Sequence, residues 1–486
     1  MDTGTNPHCT PQFRLLREDQ IMRLHQAALR VLDEVGVQVL NEEAVELLHD
    51  HGCRVEGAAG VRIPPFLVEE TVRSAPSSLV IYDRQGREAM DLGGRRIYFG
   101  TGTDLPKTID LKTREIRDTV EEDIRNNAAI SDALREIDFI GSYGLARDVQ
   151  AGLHYIRCFQ LLVEGSTKPV FFTAESERDL AVILEMAEAV AGGGDALAAR
   201  PFLINYSEPV SPLTHSREAA AKLMMCARRG VPINYTPALL AGSTGPVTIA
   251  GAITTAAAEA LSGLVIHQLA GKGAPIISGF AATSMDMLKA TVSYTSPEFR
   301  LAHSACSDLF HYYEIPVWGT AGCSDSQFPD LQAGAEYGFT LLNAALDGAN
   351  LIHDCGYLGQ GFVASPEMIV FAAEVIGYVK RYMRGFILDE DHLALNVIRE
   401  VGPGGHFLGE RHTLEFFQQE QWKPTFFNRD NLSGWMKQGS KKLDERLAQR
   451  ALELLRDHTS SPLTDEVQAE LNRIWGRALK QKEGES

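Results

Sequence analysis

The amino-acid sequence predicts an α/β fold built around a (β/α)8 barrel of the TIM type. After residue 95 the chain repeats a short apolar segment, a loop of small and polar residues, and a long helical segment rich in Ala and Leu. The apolar segments are unbroken runs, as in parallel strands that are covered on both faces. There are eight of them, which is the number of strands in such a barrel. The predicted strands are residues 97–100, 139–143, 169–173, 202–206, 232–235, 275–280, 316–319 and 349–353.

A doubly wound open sheet is the alternative architecture. Sheets of that kind that bind dinucleotides carry Gly-x-Gly-x-x-Gly after the first strand, and this chain has no such motif there. Polar loops follow nearly every predicted strand, as a ring of loops at one end of a barrel requires. The closed barrel is therefore favoured.

Three regions are predicted along the chain. Residues 1–94 form an N-terminal helical segment with short strands, in which Asn41 is a suitable N-cap for a helix at 43–49. Residues 95–387 form the catalytic barrel. Residues 388–486 return to helices and loops, and we interpret them as a cap or an oligomer-contact segment. A homo-oligomer is expected.

Composition excludes several classes of function. The 486 residues carry a formal net charge of −18, whereas nucleic-acid binding needs a basic surface. The seven cysteines include no Cys-x-x-Cys pair, which argues against a disulfide framework and a zinc knuckle. The N-terminus does not resemble a signal peptide, and no uninterrupted apolar run is long enough to span a membrane. We expect a cytoplasmic protein that binds neither nucleic acid nor membranes.

Metal and nucleotide sites are not predicted either. His353 and Cys355 are close in sequence, but they and the isolated His303, Cys306 and His311 lack the spacing of a zinc site. No bound metal is expected. The loop at residues 241–248 contains two glycines but no Gly-Lys-Ser/Thr, so it is either a tight turn or a weak anion contact.

The strongest functional signal is the stretch from Gly319 to Glu336. It reads Gly-Thr-Ala-Gly-Cys-Ser-Asp-Ser-Gln-Phe-Pro-Asp-Leu-Gln-Ala-Gly-Ala-Glu and follows a predicted strand. Barrel enzymes place their chemistry where a strand ends and such a loop begins. The stretch is therefore predicted to belong to an active site.

Five segments, in order along the chain, resemble the trimethylamine methyltransferase family. They are Asp110-x-x-Thr113-x-x-Ile116-Arg-Asp-Thr119, Gly245-Pro-Val-Thr-Ile-Ala-Gly251 with Glu259, Cys323-Ser-Asp-Ser-Gln-x-x-Asp330-x-Gln332-Ala-x-x-Glu336, Leu351-Ile-His-Asp-Cys-Gly-Tyr357, and Val401-Gly-Pro-Gly-Gly-His-Phe-Leu408 with His412 and Thr413. Five ordered matches arise by chance far less often than one short motif.

The resemblance implies a corrinoid-dependent methyltransferase. Members of this family move a methyl group from a methylated amine to the cobalt of a corrinoid protein, which docks transiently over the barrel mouth. This chain lacks Asp-x-His-x-x-Gly, a pattern associated with corrinoid-carrying domains. The cobalamin-type corrinoid is therefore expected on a separate partner protein.

Gln327 bears on the substrate that the resemblance implies. Founding members of the family carry pyrrolysine at this position, whereas this chain has glutamine. Relatives without pyrrolysine are associated with quaternary amines such as glycine betaine. A quaternary nitrogen already carries the positive charge that lets a neutral tertiary amine leave. The predicted substrate is thus a quaternary amine rather than trimethylamine.

A trimethylammonium group donates no hydrogen bond and is held best by aromatic faces, at roughly 0.5–2 kcal/mol per contact. Aromatic residues at strand ends are therefore the predicted substrate contacts, although each can instead belong to the barrel core. These residues are Tyr98, Tyr235, Phe280, Trp318, Tyr357 and Phe362, and Phe99, Tyr143 and Tyr206 also lie on or beside predicted strands. Tyr98, Phe280 and Phe362 are preferred.

Five polar residues complete the predicted site. His353, which ends the eighth strand beside an acidic residue, is predicted to hold a substrate carboxylate, with a buried structural histidine as the alternative. Asn205 and Glu208 end the fourth strand and are predicted ligand contacts, or else a strand end and a helix cap. Asp325 and Gln327 are predicted at the catalytic mouth, with an N-cap and a solvated loop residue as alternatives.

The predicted function is transfer of a methyl group from a quaternary amine to Co(I) of the corrinoid protein, which releases a tertiary amine. Glycine betaine is the first choice of substrate and dimethylglycine the product. The alternatives are carnitine, choline or proline betaine as substrate, a quaternary-amine-binding regulator without catalysis, and a metal-dependent barrel hydrolase or lyase.

Overall fold

The eight predicted strands close into one parallel barrel in the structure, a computed structural model that describes residues 8–484. The second strand is so short that single bridges join it to its neighbours, one of them between Gly100 and Phe139. The eighth strand pairs back onto the first through Leu351 and Tyr98. In order, the barrel strands are Tyr98–Phe99, residues 139–140, Val170–Thr173, Leu203–Ser207, Ile233–Tyr235, Ile276–Ser278, Trp318–Thr320 and Leu351–His353. The prediction of a (β/α)8 barrel is confirmed.

A helix follows each barrel strand on the outside. These helices are Glu121–Ala133, His154–Gly165, Glu177–Ala191 with the short Gly194–Ala199, Arg217–Arg229, Ile249–Ala270, Pro297–Tyr312, Leu331–Asp347 and Pro366–Met383. Serine or aspartate side chains cap several of them, as the chemistry of helix starts requires. The cap of Leu331–Asp347 is Asp330, whose Oδ1 accepts the Ala333 N–H at 2.9 Å. The N-cap alternative for Asp325 is therefore wrong.

The N-terminal region packs against one side of the barrel. Its helices are Glu18–Arg30, Glu42–Asp50 and Pro65–Ser74, with a π-helical turn at Val31–Val35. Asn41 caps the second helix by accepting the Ala44 N–H at 3.0 Å, as predicted. Strands Val37–Val39, Arg54–Glu56 and Gly60–Arg62 form a small sheet with Thr214–His215, and His8–Cys9 pairs with Phe386–Ile387. The first and third helices lie against Ile249–Ala270.

A β-hairpin, Ser78–Tyr82 with Glu88–Gly93, closes the amino end of the barrel. The Tyr82 N–H donates to Pro201 O and the Arg84 N–H to Thr167 O, just before two barrel strands begin. Apolar side chains of the hairpin continue the core of the barrel interior; they are Ile81, Met90 and Leu92. The open end of the barrel is therefore its carboxyl end.

Two small sheets rise above that carboxyl end. One contains Tyr357–Leu358, Val363–Ala364, Lys107–Ile109 and Ile116–Asp118, and the other Ala238–Ala241, Ala281–Asp286 and Thr291–Ser293. Arg117 ties the first sheet down by bridging Asp110 and Asp123 at 2.8 and 2.6 Å. Backbone N–H groups of Thr113 and Lys112, together with Arg117, lower the pKa of Asp110 to about 2. The Asp110–Thr119 segment thus builds the scaffold of the mouth.

Helix Ile249–Ala270 is a core helix. Within residues 8–484 it alone is long and apolar enough to cross a membrane by length and composition, yet 72% of its most apolar window is buried in the protein. Its Glu259 accepts hydrogen bonds from Ser211 Oγ at 2.7 Å and the Leu213 N–H at 2.9 Å. Glu259 therefore has a structural role in fastening the loop after the fourth strand.

The C-terminal region has two parts. Helices Leu443–Asp457 and Asp465–Glu483 pack on the outer helices of the barrel. Between residues 388 and 440 the four short helices Glu390–Leu393, Leu395–Val401, Arg411–Glu420 and Leu432–Lys437 contain no buried residue. This intermediate part is attached to the barrel through Phe426 and Phe427, which pack against the core, while its four short helices stay at the surface.

Gly356 provides a test of how the chain turns at the end of the eighth strand. Its φ is +105°, and a Cβ would overlap the hydroxyl of the buried Tyr143. That hydroxyl donates to the Gly356 carbonyl and accepts the Ser365 N–H at 2.9 Å. We expect Gly356→Ala to cost ~3 kcal/mol or more of folding stability, which scanning calorimetry would record as a lower unfolding temperature. Gly338→Ala, in open space on a helix, is the control and should not destabilise. Equal effects would contradict the expectation.

Candidate active site

Four rings fill the upper barrel interior and form its floor toward the open end. The His353 ring centroid lies 5.1 Å from that of Phe171, 5.8 Å from Tyr206 and 5.0 Å from Trp318. Phe171 and Tyr206 are 5.3 Å apart. Successive side chains of a strand point to opposite faces, so His353 shares the inward face with Leu351, two residues earlier. We call these four residues the aromatic floor.

The floor carries buried hydrogen-bonding groups that have no partner. His353 is 6% exposed, and Nδ1 lies 2.7 Å from Asp354 Oδ1 without the alignment of a hydrogen bond. Among residues 8–484 neither ring nitrogen of His353 has a hydrogen-bond partner, and the same holds for Trp318 Nε1 and Asn234 Nδ2. Asn234 lies opposite Tyr206 in the strand register. Buried unpaired donors are costly, so the floor is suited to bind an acceptor.

Asp354 turns back into the mouth because its backbone is left-handed, with φ of +81°. Aspartate tolerates this conformation better than most residues. Its carboxylate accepts a hydrogen bond from Thr320 Oγ1. Gly102 makes the approach possible, since a Cβ there would lie only 2.5 Å from Asp354 Oδ1 and would also overlap the Tyr357 hydroxyl.

Two further carboxyl groups face the mouth. Both oxygens of Asp104 lie 2.9 Å from Thr173 Oγ1, and Glu208 Oε2 accepts from the Tyr206 hydroxyl at 3.0 Å. Burial raises the pKa of Asp104 to about 6 and also raises the pKa of Glu208. Glu208 keeps surface that is open to solvent, yet enough protein surrounds it to desolvate the carboxylate, as expected of a group inside a mouth. We call Asp104 and Glu208 the carboxyl pair.

Tyrosines line the wall above the floor. The Tyr357 hydroxyl donates to Thr103 O at 2.5 Å, and its ring lies 5.8 Å from Tyr143. Tyr294 is half-buried after the inserted hairpin of the sixth strand, and its N–H donates to Asp325 Oδ1 at 3.0 Å. These rings, with Tyr206, give the mouth aromatic faces beside its carboxyl groups.

The loop of Gly319–Glu336 is held by its own acidic residues. Asp325 accepts from Ser293 Oγ at 2.5 Å and Thr295 Oγ1 at 3.0 Å, in addition to Tyr294. Glu336 accepts from Ser324 Oγ at 2.5 Å and from the Asp325 N–H at 2.9 Å. Because its oxygens are already occupied, Asp325 is a positioning residue for Tyr294. This corrects its predicted place among the catalytic groups.

Gln327 and Phe362 lie on the rim of the mouth. Gln327 is exposed, with Nε2 3.5 Å from Asp325 O and Oε1 facing Gly359. Phe362 is 59% exposed on the loop after the eighth strand. Both residues are at the open end, and their predicted contact with substrate or corrinoid stays a prediction.

The match to a family model covers residues 3–481, and that model describes trimethylamine methyltransferase (MTTB). This chain belongs to the trimethylamine methyltransferase family. It is 32% identical over 461 residues to trimethylamine methyltransferase MttB of Desulfitobacterium hafniense (strain DSM 10664 / DCB-2), covering 94% of this chain and 92% of the relative. It is 30% identical over 475 residues to glycine betaine methyltransferase of Desulfitobacterium hafniense (strain Y51), covering 97% and 98%.

A solved structure shares the fold of this family member. Monomethylamine methyltransferase (MtmB) of Methanosarcina barkeri matches with a TM-score of 0.54 and 11% identity, over 92% of this chain and 88% of MtmB. At that identity the likeness concerns the barrel alone. The family assignment and the methyltransferase class confirm what the five sequence segments predicted.

Four predicted substrate contacts of this methyltransferase lie away from the mouth. The Tyr98 hydroxyl accepts the Asp91 N–H at the hairpin that closes the amino end. Tyr235 faces the outer helices, where its hydroxyl lies 2.7 Å from His215 Nδ1. Two more sit in the helix-facing layer: Phe280, whose ring is 6.3 Å from Phe310, and Asn205, which alternates with the inward Ile204 and Tyr206. For Tyr235, Phe280 and Asn205 the reason is the alternation of side chains along a strand, which points these residues outward.

The structure also brings in residues that the sequence argument missed. Asp104 follows the first strand in a Thr-Gly-Thr-Asp run. This run of small and polar residues is of the same kind as the Gly319–Glu336 loop after the seventh strand, and it could have indicated Asp104. In the sequence, Phe171 and Asn234 are distinguished only by the alternation of inward and outward side chains along a strand. Using that alternation requires each strand end to be known to within one residue. Tyr294 comes from a hairpin inserted after the sixth strand, so its place at the mouth depends on the fold.

The arrangement of His, Cys, Asp and Glu side chains bears on metal binding. Over residues 8–484, no three or more His, Cys, Asp or Glu side chains converge in a way that could hold a metal ion. His353 and Asp354 are adjacent at the mouth, but Cys355 is buried and donates to Ala321 O at 3.7 Å. The side chains of His353 and Asp354 are therefore available to a bound ligand, whereas Cys355 is used within the fold.

Proposed function

We propose that this family member transfers a methyl group from a quaternary amine to Co(I) of a separate corrinoid protein, with glycine betaine as substrate and dimethylglycine as product. The observation that carries the proposal is that one mouth contains two layers of chemically different groups. At the floor lie donors that have no partner among residues 8–484, and above them lie Tyr294, Tyr357, the hydroxyl end of Tyr206 and the carboxyl groups. A zwitterion with a cationic and an anionic end complements this order.

The anionic end belongs at the floor. The nitrogens available there are those of His353, the indole of Trp318 and the amide of Asn234, all buried. Hydrogen bonds to a charged group are worth about 1.5–3 kcal/mol each. A carboxylate bound at this depth directs the trimethylammonium group toward the opening.

The cationic end then meets Tyr206, Tyr294 and Tyr357. Their faces attract a quaternary ammonium at roughly 0.5–2 kcal/mol per contact. The protein's part is to bind, orient and exclude water, because the corrinoid supplies the nucleophile. As the C–N bond breaks, the nitrogen keeps the electron pair and leaves as a neutral tertiary amine, so no general acid is required.

An apolar collar surrounds the opening and supports docking of a protein there. Its members come from the loops after five consecutive barrel strands, and each is 48% or more exposed: Val210, Val247, Met287, Leu288, Phe328, Leu331 and Phe362. Leu288 and Leu331 are 97% and 94% exposed. Exposed apolar side chains around one opening are typical of an interaction surface. A partner docked on this collar would cover the mouth and exclude water.

We also propose where the enzyme acts and how it assembles. Six cysteines, at positions 53, 158, 226, 306, 323 and 355, are buried as free thiols, which favours a reducing cytoplasm. Exposed apolar residues between 388 and 440, among them Leu395, Leu408 and Leu414, favour a role of that segment in a homo-oligomer. Binding of the corrinoid partner is proposed to be transient, since the carrier must leave with the methyl group.

Spectroscopy with free cob(I)alamin tests the proposed reaction. The purified chain should form methylcobalamin and dimethylglycine from glycine betaine, and should do so more slowly from choline, carnitine or proline betaine. Trimethylamine as the only active donor would overturn the substrate assignment. Tight binding of glycine betaine without transfer, also in the presence of the corrinoid protein, would instead identify a regulator.

A further inference from the structure

We propose that the carboxyl pair, Asp104 and Glu208, is the counter-charge of the substrate's ammonium group and releases a proton when a cation binds. This rests on the proposed function only in placing a quaternary ammonium in the mouth. It concerns two residues that the methyl transfer itself does not require.

Strand register brings the two carboxyl groups together. Thr173 lies opposite Tyr206 on the third and fourth barrel strands, and both point inward. Each holds one member of the pair, because Thr173 contacts Asp104 and Tyr206 contacts Glu208. Asp104 adopts a left-handed φ of +74°, a conformation that is uncommon outside glycine. A strained acidic residue at a strand end is typical of a functional position.

An independent observation points to a ligand in the same mouth. The His353 ring contacts Tyr206, which holds Glu208, and this histidine is buried with no hydrogen-bond partner on either ring nitrogen within residues 8–484. Trp318 Nε1, on the other side of His353, is equally unpartnered. These nitrogens are therefore available to a molecule bound beside the carboxyl pair.

The surroundings compensate the negative charge of the pair only in part, because the pKa values of both carboxyl groups stay raised although the charge of Lys222 favours their ionised forms. The Lys222 ammonium donates its hydrogen bond at 2.6 Å to Ala174 O, the residue after the third strand. The His353 ring also lies close enough to act on Glu208. Asp354 adds a further carboxyl group to the same mouth. The neighbouring hydroxyl and thiol groups add no positive charge. The charge of Asp104 raises the pKa of Tyr155, and burial raises the pKa values of Cys158, Tyr206, Tyr294 and Tyr357. A bound cation supplies the missing charge.

The direction of the pH dependence follows from the raised pKa values. Burial raises the pKa of Asp104 to about 6 and that of Glu208 above its usual value, so the empty pair holds a proton in slightly acidic solution. A bound ammonium favours the ionised form and lowers those pKa values. Binding therefore releases the proton to solvent. Affinity is complete above the pKa of the empty site and falls as the pH drops below it.

Calorimetric titration with tetramethylammonium isolates this effect, because the probe has a charge but no carboxylate. We expect the dissociation constant to be about tenfold higher at pH 5 than at pH 8, as one proton with a pKa near 6 requires. The heat of binding near pH 6 should differ between buffers of unlike ionisation enthalpy. In Glu208→Gln or Asp104→Asn the affinity at pH 8 should fall about tenfold and the pH dependence should shrink.

Controls separate charge recognition from general damage. Glu122→Gln, an exposed carboxylate on the outer helix Glu121–Ala133, should bind the probe as the parent does. 3,3-Dimethylbutanoate, the uncharged-head analogue of glycine betaine, should bind the parent and the Glu208→Gln protein equally. If Glu208→Gln fails to fold, Asp104→Asn carries the same comparison. Unchanged tetramethylammonium binding in a folded variant, or pH-independent binding in the parent, would overturn the proposal. Loss of methyl transfer with this binding pattern intact would count against the proposed function alone.

Discussion

Replacing His353 with alanine is expected to lower kcat/KM for glycine betaine by about 100-fold. The imidazole is buried on the aromatic floor, and neither nitrogen has a hydrogen-bond partner among residues 8–484, although Nδ1 lies 2.7 Å from Asp354 Oδ1. In the proposed reaction it binds the substrate carboxylate. Loss of one hydrogen bond to a charged group costs about 1.5–3 kcal/mol, a factor of roughly 10–150. Steady-state transfer to free cob(I)alamin measures the change.

Choline is the internal control for His353→Ala, since it carries a hydroxyl in place of the carboxylate. Its kcat/KM should fall less than about fivefold. Trp318→Phe keeps an aromatic ring but removes the indole N–H, and should show the same selectivity with a smaller loss for glycine betaine. Equal losses for both substrates in His353→Ala would remove His353 from carboxylate binding and leave it a packing role against Phe171 and Tyr206.

The double substitution Leu288→Asp with Leu331→Asp is expected to raise the KM for the corrinoid protein at least 100-fold. Both side chains project from the apolar collar almost fully exposed, so their loss should not disturb the barrel core. Charges placed in the centre of a docking surface lose apolar contact and must be desolvated without a partner. Transfer to free cob(I)alamin should be unchanged, because no residue of the floor is altered.

Leu414→Asp is the matched control for the collar. Leu414 is 73% exposed, but it lies on helix Arg411–Glu420 in the C-terminal region. If the corrinoid protein docks on the collar, Leu414→Asp should leave its KM unchanged. A large effect at Leu414 and none at Leu288 and Leu331 would move the docking surface to the C-terminal segment.

The motifs that carried the family resemblance have mainly structural roles in the fold. Asp110 and Arg117 fasten the small sheet beside the mouth, Glu259 holds the loop after the fourth strand, and Glu336 supports the loop that carries Gln327. Acidic residues in such positions look like catalytic candidates in a sequence, because the same residue types accept backbone N–H groups and bind ligands. Only the hydrogen-bond partners in the fold distinguish the two roles. Asp325, for example, accepts hydrogen bonds from Ser293 and Tyr294 and so has a structural role.

The sequence by itself determined the barrel, the order of its strands and the family, because these depend on patterns of many residues that tolerate small errors in position. It also located the carboxyl ends of the strands, and with them His353, Glu208, Trp318 and Tyr357. The tertiary structure alone decided which aromatic side chains face inward. A shift of one residue along a strand moves a side chain to the opposite face, so Tyr235 and Phe280 went to the helix layer while Phe171 and Tyr206 formed the floor. The carboxyl pair likewise required the fold, since Asp104 and Glu208 are 104 positions apart in sequence and meet only through the register of two neighbouring strands.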